Sequence, residues 1–505
     1  MRRQGILIIV FAALFALSLV GYFVFIRPLT TPVAEEEKAP ETEDGEVLDS
    51  KFRFFMFGSL ERNEIASITV DNEYGGFTFE NDGTGNFCIK GYDSVAYDPE
   101  LFAQLVNITS YTLSKSKLGS NLSDEKMDEY GLLEPCASWT VTALSGDSYT
   151  VYVGDKLLTG GGYYCRLAGR DSAYVLGTTI ETAVLVPVEK YVTPVLVAGM
   201  TNDNYFLVDD FTMYRDGEML FSLTLVPEEE QSNENALAEV IMDYPTAYYP
   251  NSSLYYTIIY DYMELLAESC EKLGVSQEDL KEKGLSEPAH MITFVHNKAK
   301  YELRFSELTE DGYYYAYSNF CPNVIARCDG KTFEYLEYDL IKWIDEYAFQ
   351  EYITKIDNMT VKTDKVSAEY RLTHDVDKNG KEIFYVEANG KNLSEDQLQN
   401  FRQYYKSFLA LTIEDYYYND EYCPYSEDEI KALIADKDNA YLTFTYETVG
   451  GEAAELSFYE YSTRHSLVTI NGVGEFYVLT DLVKKVENDT VRILNGETVT
   501  AFDKN

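Results

Sequence analysis

Apolar positions fall into two regimes along this chain. From Ile6 to Ile26 they form one uninterrupted run, preceded by Arg2 and Arg3 and closed by Arg27-Pro28. Beyond it they alternate with polar residues or recur at helical spacing, the pattern of a folded, water-facing body. A run of about twenty apolar residues is long enough to cross a hydrocarbon core of about 30 Å. The positive-inside rule counts Lys and Arg, so the basic pair keeps the N-terminus in the cytoplasm, and Glu35-Glu36-Glu37 carries little weight. Residues 1–27 are therefore read as an uncleaved signal anchor of a single-pass cell-membrane protein, with the C-terminal ectodomain extracytoplasmic. A cleaved signal peptide would need a shorter apolar stretch ending in small residues. This chain has Tyr22, Phe23, Phe25 and Ile26 there, and its first Cys, the group a lipid anchor would need, is Cys88.

Thr30 to Asp49 is rich in Glu, Pro and Thr and has little apolar content. Residues 28–51 read as an acidic, disordered, self-repelling stalk. From residue 52 the same succession of elements is read three times, with a period of roughly 150 residues. The units run over 52–194, 195–350 and 351–490, and 491–505 is left as a C-terminal hairpin around Asn495-Gly496 or a tail. Each unit opens on alternating strand segments: Ile68-Thr69-Val70, Phe211-Thr212-Met213 and Met359-Thr360-Val361, each with a second strand behind it. An amphipathic helix follows. In the first unit Asp98 caps it, Pro99 stands at its first position, and Leu101, Leu105 and Ile108 line one face. In the second, Ser253 precedes Leu254, Ile258, Tyr262 and Leu265, and Gly274 stops the helix. In the third, Ser394 and Gln397 form a capping box.

A short acidic helix comes next each time, starting at Ser123, Ser276 and Ser426, with carboxylates in its first turn to complement the helix dipole. Its stop repeats almost letter for letter. The first unit has Tyr130-Gly131-Leu132-Leu133-Glu134-Pro135 and the second Lys283-Gly284-Leu285-Ser286-Glu287-Pro288. Glycine takes positive φ cheaply and proline forbids further helix. The third unit reads Ala435-Asp436-Lys437-Asp438 instead. Strands return at Trp139-Thr140-Val141, Ile292-Thr293-Phe294 and Leu442-Thr443-Phe444, and a short helix such as Thr480 to Val486 closes each unit. Strands and helices segregated in this way predict an α+β fold of mainly antiparallel sheet, not a doubly wound parallel one.

Composition narrows the partners. A formal net charge of −44 over 505 residues repels nucleic acid and anionic headgroups and favours solubility and basic partners. Seven Cys cannot all pair within one chain, none forms CxxC, and four scattered His have no HExxH setting. Tyr is abundant at 44 copies, enough to supply either strand positions or an aromatic surface for glycans or peptides. The clusters Tyr163-Tyr164, Tyr248-Tyr249, Tyr313-Tyr314-Tyr315 and Tyr416-Tyr417-Tyr418 are the candidates for such a surface.

One series of segments resembles a known family. It comprises the Gly131-Leu132-Leu133-Glu134-Pro135 stop, Trp139-Thr140-Val141-Thr142, Val153-Gly154-Asp155-Lys156, Gly161 to Leu167 and Tyr174-Val175-Leu176. These segments, with the N-terminal anchor and acidic stalk, are similar to the bacterial membrane-anchored family known as domain of unknown function 4340. The likeness is clearest over residues 60–190 and recurs more weakly to residue 490. Members are often encoded beside ABC-transporter components of the gliding-motility type, so the resemblance implies an accessory role in the envelope. It implies no catalytic residue. The second unit departs from it at Phe305-Ser306-Glu307-Leu308, where the first has Val153-Gly154-Asp155-Lys156.

The sequence marks no catalytic, cofactor-binding or metal residue. Asp375-Val376-Asp377-Lys378-Asn379-Gly380 matches the first half of a calcium loop. Its twelfth position is Val386 where a bidentate Glu belongs, and Asn-Gly between strands is also the strongest hairpin signal. Gly160-Gly161-Gly162 lacks the Lys-Ser/Thr of a P-loop and reads as a strand connection. No GxSxG is present, and Cys165 has no His in a recognisable family setting. The leading reading is thus a non-enzymatic, membrane-anchored accessory protein acting by protein–protein contact, with ABC-type transporter subunits as the suggested partner. A cell-wall or glycan-binding module using exposed Tyr is the alternative, and an envelope hydrolase ranks last.

Overall fold

The computed structural model describes residues 15–20, 22, 39–228, 231, 238–376, 378, 380 and 382–500. Among them no helix is long and apolar enough to cross a membrane. Most of the Ile6–Ile26 run lies outside the described residues. The chain forms two compact units, one holding the residues up to Gly85 together with Ala103–Val186, the other Asn86–Phe102 with Pro187–Asn505. The fold is α+β, and every named strand pair is antiparallel.

In the first unit Gly75–Asn81 pairs with Ile65–Asn72, which pairs with Ala137–Ala143. Ser148–Lys156, Tyr163–Leu167, Ala173–Leu176 and Ser116–Gly119 follow in that order. In the second unit a sheet runs Val240–Tyr244, Glu218–Leu225, Val208–Arg215, His290–His296, Ala299–Phe305, Tyr313–Ser318, Val324–Asp329 and Ser269–Leu273. A third sheet, in the same compact unit, repeats that order from Lys391–Asn392 and Glu382–Ala388 through Ser367–Val376, Ile356–Thr363, Leu442–Thr448, Ala453–Glu460, His465–Ile470 and Val473–Leu479 to Ile413–Tyr416.

Strand alternation decides which residues are buried. Ala137–Ala143 and His290–His296 alternate strictly between buried and half-buried positions, as the period of two requires. On one face of the second and third sheets lies a long helix. Ser252–Asp261 buries Tyr255, Ile258 and Ile259, with the Tyr255 ring 5.4 Å from Phe211. Glu395–Phe408 buries Phe401, Tyr404, Tyr405 and Phe408, with Phe408 4.4 Å from Phe444. On the other face sits the short acidic helix. Leu280 packs with Leu285 and Ile325 in the second sheet, and Ile430 with Tyr417, Tyr459, Tyr461 and Leu467 in the third. Met127 with Leu132 and Ala173 does the same in the first. Both faces of a sheet must be covered when both carry apolar residues.

The caps agree with the sequence at Asp98, whose carboxylate accepts from the Glu100 and Leu101 amides at 2.8 and 3.0 Å. They agree at Ser123, Ser276 and Ser426 as well. Five expectations are corrected. The helix of the second unit is capped by Asn251, not Ser253, and ends at Asp261. Leu265 and Gly274 lie beyond it, in and after strands. The buried stripe of Pro99–Ser110 is Phe102, Leu105, Val106 and Thr109, with Leu101 and Ile108 only half-buried. A strand between the two helices, unread in all three cases, closes the far edge of each sheet at Ser116–Gly119, Ser269–Leu273 and Ile413–Tyr416. Residues 43–48 are no solvated stalk. Val47–Leu48 pairs with Phe54–Phe55, and Glu43 and Glu46 each lie 2.8 Å from the Lys117 ammonium. That buried cation draws the carboxylates in. Lastly, Val491–Leu494 is no hairpin. It ends a helix, Thr480–Leu494, because Val483, Val486, Thr490 and Ile493 continue one buried stripe. Tyr404 and Thr490 share a hydroxyl hydrogen bond of 2.8 Å that docks this helix on Glu395–Phe408.

Candidate functional site

The turn that ends the acidic helix shapes the two clefts of most interest. In the first unit Gly131 sits at φ +68, beyond the cost-free range of residues with a Cβ. The strand Ser148–Lys156 runs against this turn, and the Asp155 amide donates to the Tyr130 carbonyl at 2.9 Å. A Cβ at residue 154 would lie 2.2 Å from that carbonyl oxygen, so only glycine fits. The Val153-Gly154-Asp155-Lys156 segment is thereby explained as a backbone contact. Beside it remains a shallow cleft of about 350 Å³ bordered by Asp71, Glu73, Pro135, Cys136 and Tyr152.

In the second unit the same turn has Gly284 at φ +71. A Cβ there would meet nothing nearer than the Ser306 Cβ at 3.8 Å, so the strand stands off from the turn. The space left is a cleft of about 880 Å³ between Asp216-Gly217, Gly284 to Ala289 and Ser306 to Glu310. Five carboxylates line it: Asp216, Glu282, Glu287, Glu307 and Glu310. Lys283, its one lining cation, is already engaged, with its ammonium 2.7 Å from Glu271, 3.3 Å from the Tyr315 hydroxyl and 4.5 Å above the Tyr315 ring. Burial would lower the Lys283 pKa, but these partners more than offset it and hold the ammonium charged. An open cleft with this balance attracts cationic groups and repels anions.

A third cleft, of about 680 Å³, lies in the third sheet and is bordered by Tyr418, Asp420, Cys423, Tyr425, Lys431 and Glu475. Asp420 accepts from Tyr461 at 2.6 Å and lies 2.7 Å from Nδ1 of His465. Burial would raise the Asp420 pKa, but hydrogen bonds from Tyr461, the Tyr422 amide and His465 outweigh it and hold the carboxyl below its ordinary value. The His465 ring is walled by Tyr477 at 4.6 Å and Tyr422 at 5.6 Å. An aspartate-bound imidazole is one element of nucleophilic catalysis. The cleft's thiol does not complete it, because burial raises the Cys423 pKa and its sulfur lies 3.8 Å from the Tyr425 carbonyl. The cluster instead fastens the segment around Asp420 to the strand His465–Ile470. Its members are 45 residues apart in sequence, and no spacing rule joins them.

The remaining Cys, His, Gly and Tyr candidates have structural places. Cys136, Cys165, Cys270, Cys321, Cys328 and Cys423 are free thiols, and burial pushes Cys270 up to about 12 and Cys165 and Cys328 higher still. His296 and His374 bind the Asn204 and Ile356 carbonyls at 3.0 and 2.6 Å. His290 is buried and lies 3.2 Å from Glu337. Asp375 and Val376 end the strand Ser367–Val376, which pairs antiparallel with Glu382–Ala388, as a hairpin requires. Asp377 and Asn379 lie outside the described residues. Gly160 to Gly162 joins two strands, and a Cβ at Gly162 would lie 2.0 Å from the Leu176 carbonyl. Among the described residues no group of three His, Cys, Asp or Glu is placed to hold a metal ion. Of the Tyr clusters, Tyr163, Tyr248, Tyr314, Tyr416 and Tyr417 are buried and Tyr418 is exposed.

Comparison of the chain with protein-family models, with curated proteins and with solved structures returned no match.

Proposed function

We propose that this chain is a membrane-tethered, extracytoplasmic accessory protein built of three diverged copies of one fold, acting by protein–protein contact. An ABC-type transporter or another envelope complex is the partner that the family resemblance suggests. One observation carries the reading. Clefts occur at the same turn of two matching sheets, beside Pro135 and beside Pro288, yet differ in size and lining. A constant scaffold with variable clefts suits recognition rather than a conserved reaction. The carboxylates of the larger cleft favour a partner segment rich in Lys or Arg.

The test is recovery of the full chain from membranes in mild detergent. Transporter subunits are expected with it, and they are expected to be lost when Glu287 and Glu307 are both changed to Lys. Recovery of the chain alone would refute the reading. A glycan-binding role draws on one specific feature, the exposed Tyr418, Tyr422 and Tyr425, of which Tyr418 and Tyr425 border the third cleft. Retention on purified cell wall, abolished by Tyr418→Ala, would favour it.

A further inference from the structure

In the third cleft a corner of tyrosine rings stands beside an unpaired carboxylate. The strand Val473–Leu479 pairs with Ile413–Tyr416, with Phe476 opposite Tyr416. Those two rings pack 4.7 Å apart on one face of the sheet. The period of two turns Glu475 to the other face, where Tyr417 packs with Ile430 of the helix Glu427–Ala435. The Tyr417 and Tyr418 rings stand at 79° to each other with centroids 5.5 Å apart. Tyr418 is backed by Tyr416, stacked at 4.8 Å, yet is 60% exposed, so much of its ring stays open beside the cleft it lines. Tyr425 adds a third ring, and Ile434 and Val473 add apolar wall. The volume, about 680 Å³, falls in the range of small-molecule sites.

Three carboxylates border this cleft, and two are already answered. Asp420 is held by Tyr461 and His465, and Glu427 is paired with Lys431. Glu475 is exposed and makes no ion pair and no side-chain hydrogen bond among the described residues. Partial burial, and after it the Glu475 charge, push the Tyr418 phenol up to about 12, which marks carboxylate and ring as neighbours. Tyrosine faces attract cations, and more strongly once the cation is desolvated. A Lys-type ammonium carries three donors that need acceptors, whereas this cleft offers a single unpaired carboxylate. A quaternary ammonium has no donor to satisfy, and its methyl groups suit rings and aliphatic walls. A neutral sugar would stack on the rings and leave the Glu475 charge uncompensated. We propose that the third cleft binds a small quaternary ammonium compound, with its methyl groups against Tyr417, Tyr418 and Tyr425 and its charge facing Glu475.

Isothermal titration of the full chain, in maltoside micelles, tests the site with choline and with dimethylbutanol, the uncharged molecule of the same shape. Choline is expected to bind about tenfold more tightly than the alcohol. Equal affinities, or no heat from choline at millimolar concentration, would overturn the proposal, and this comparison needs no variant. Tyr418→Leu keeps apolar bulk but removes the ring face, and is expected to weaken choline about fivefold while leaving the alcohol unchanged. Glu475→Gln is expected to weaken choline by about as much, through loss of the charge. Unchanged choline affinity in both variants would place the binding elsewhere and refute the site. Tighter binding of n-butylammonium, which mimics the Lys side chain, would also overturn it and assign the cleft to a protein segment. Glycerophosphocholine separates the sources of the ligand: tighter binding than choline marks a lipid headgroup, equal or weaker binding a free solute.

Discussion

The acidic helix ends on nearly the same letters in the first and second sheets, yet its surroundings differ. At Gly131 the neighbouring strand closes on the turn, makes a backbone hydrogen bond to Tyr130 and leaves no room for a side chain at residue 154. At Gly284 the neighbour is Ser306, whose hydroxyl accepts from the Tyr315 amide at 3.0 Å within its own sheet, and an acidic cleft opens. The edge strands differ in the same sense. Lys117, on the edge of the first sheet, is almost buried between Glu43 and Glu46. Lys283 and Glu271, at the edge of the second, are each more than a fifth exposed. The strand carries glycine at the sealed turn and serine at the open one. A sealed turn stabilises, whereas an open one leaves its carboxylates in a cleft.

That contrast can be broken in four ways, taken from the largest expected effect. Lys117→Met strands two carboxylates, and breaking a buried pair costs about 3–5 kcal/mol. Lys283→Met, in a pair that keeps part of its surface in water, is expected to cost about 1 kcal/mol or less. Urea unfolding read through Trp139, in a Trp343→Phe background, measures the first, and Trp343 in a Trp139→Phe background measures the second. Similar losses would erase the distinction. The Lys117 site also carries a pH signature. Burial would raise Glu43, but hydrogen bonds from Lys117, Ser120 and Ser172 hold it at about 2. Its contribution is therefore present above the ordinary carboxylate pKa and is lost as pH falls from about 4.5 towards 2. Lys117→Met is expected to flatten this acid-side loss in a thermal-melt series.

Next, Gly154→Ala forces a methyl group onto the Tyr130 carbonyl and is expected to cost about 1–3 kcal/mol, the range for overpacking. A neutral result in a melt would show that the turn is not sealed. Third, Gly131→Ala and Gly284→Ala share the cost of positive φ, about 1 kcal/mol. Only the first adds a collision with Asp155, at 2.8 Å, so its melting temperature is expected to fall further. Equal shifts would count against the difference in packing. Smallest is Ser306→Ala, which removes one hydroxyl acceptor and is expected to cost about 0.5–1.5 kcal/mol. A larger loss would mean that this position is as constrained as Gly154.

Much of the architecture could be read from residues alone. Alternation placed Trp139, Val141, Ile292 and Phe294 in cores, and the serines at 123, 276 and 426 marked three helix starts. The edge strands escaped because Ser116–Gly119 and its counterparts are short, mixed in polarity and paired with partners remote in sequence. The clefts escaped for a related reason. The sequence marks the departure from Val-Gly-Asp-Lys to Phe-Ser-Glu-Leu but not the distance between strand and turn. The Asp420–His465 pair depends on residues brought together from separate elements, and no local pattern encodes it.

By itself, then, the sequence determined the local grammar: period-two strands, capped acidic helices, glycine stops and a strongly negative charge. These follow from backbone sterics, hydrogen-bonding termini and apolar periodicity, which act over a few residues. Only the tertiary structure decided which turn is sealed and which is open, and where Lys117 finds its carboxylates. Those outcomes depend on packing between distant segments, where a clash at 2.2 Å or a contact at 3.8 Å is set by the three-dimensional approach of two backbones.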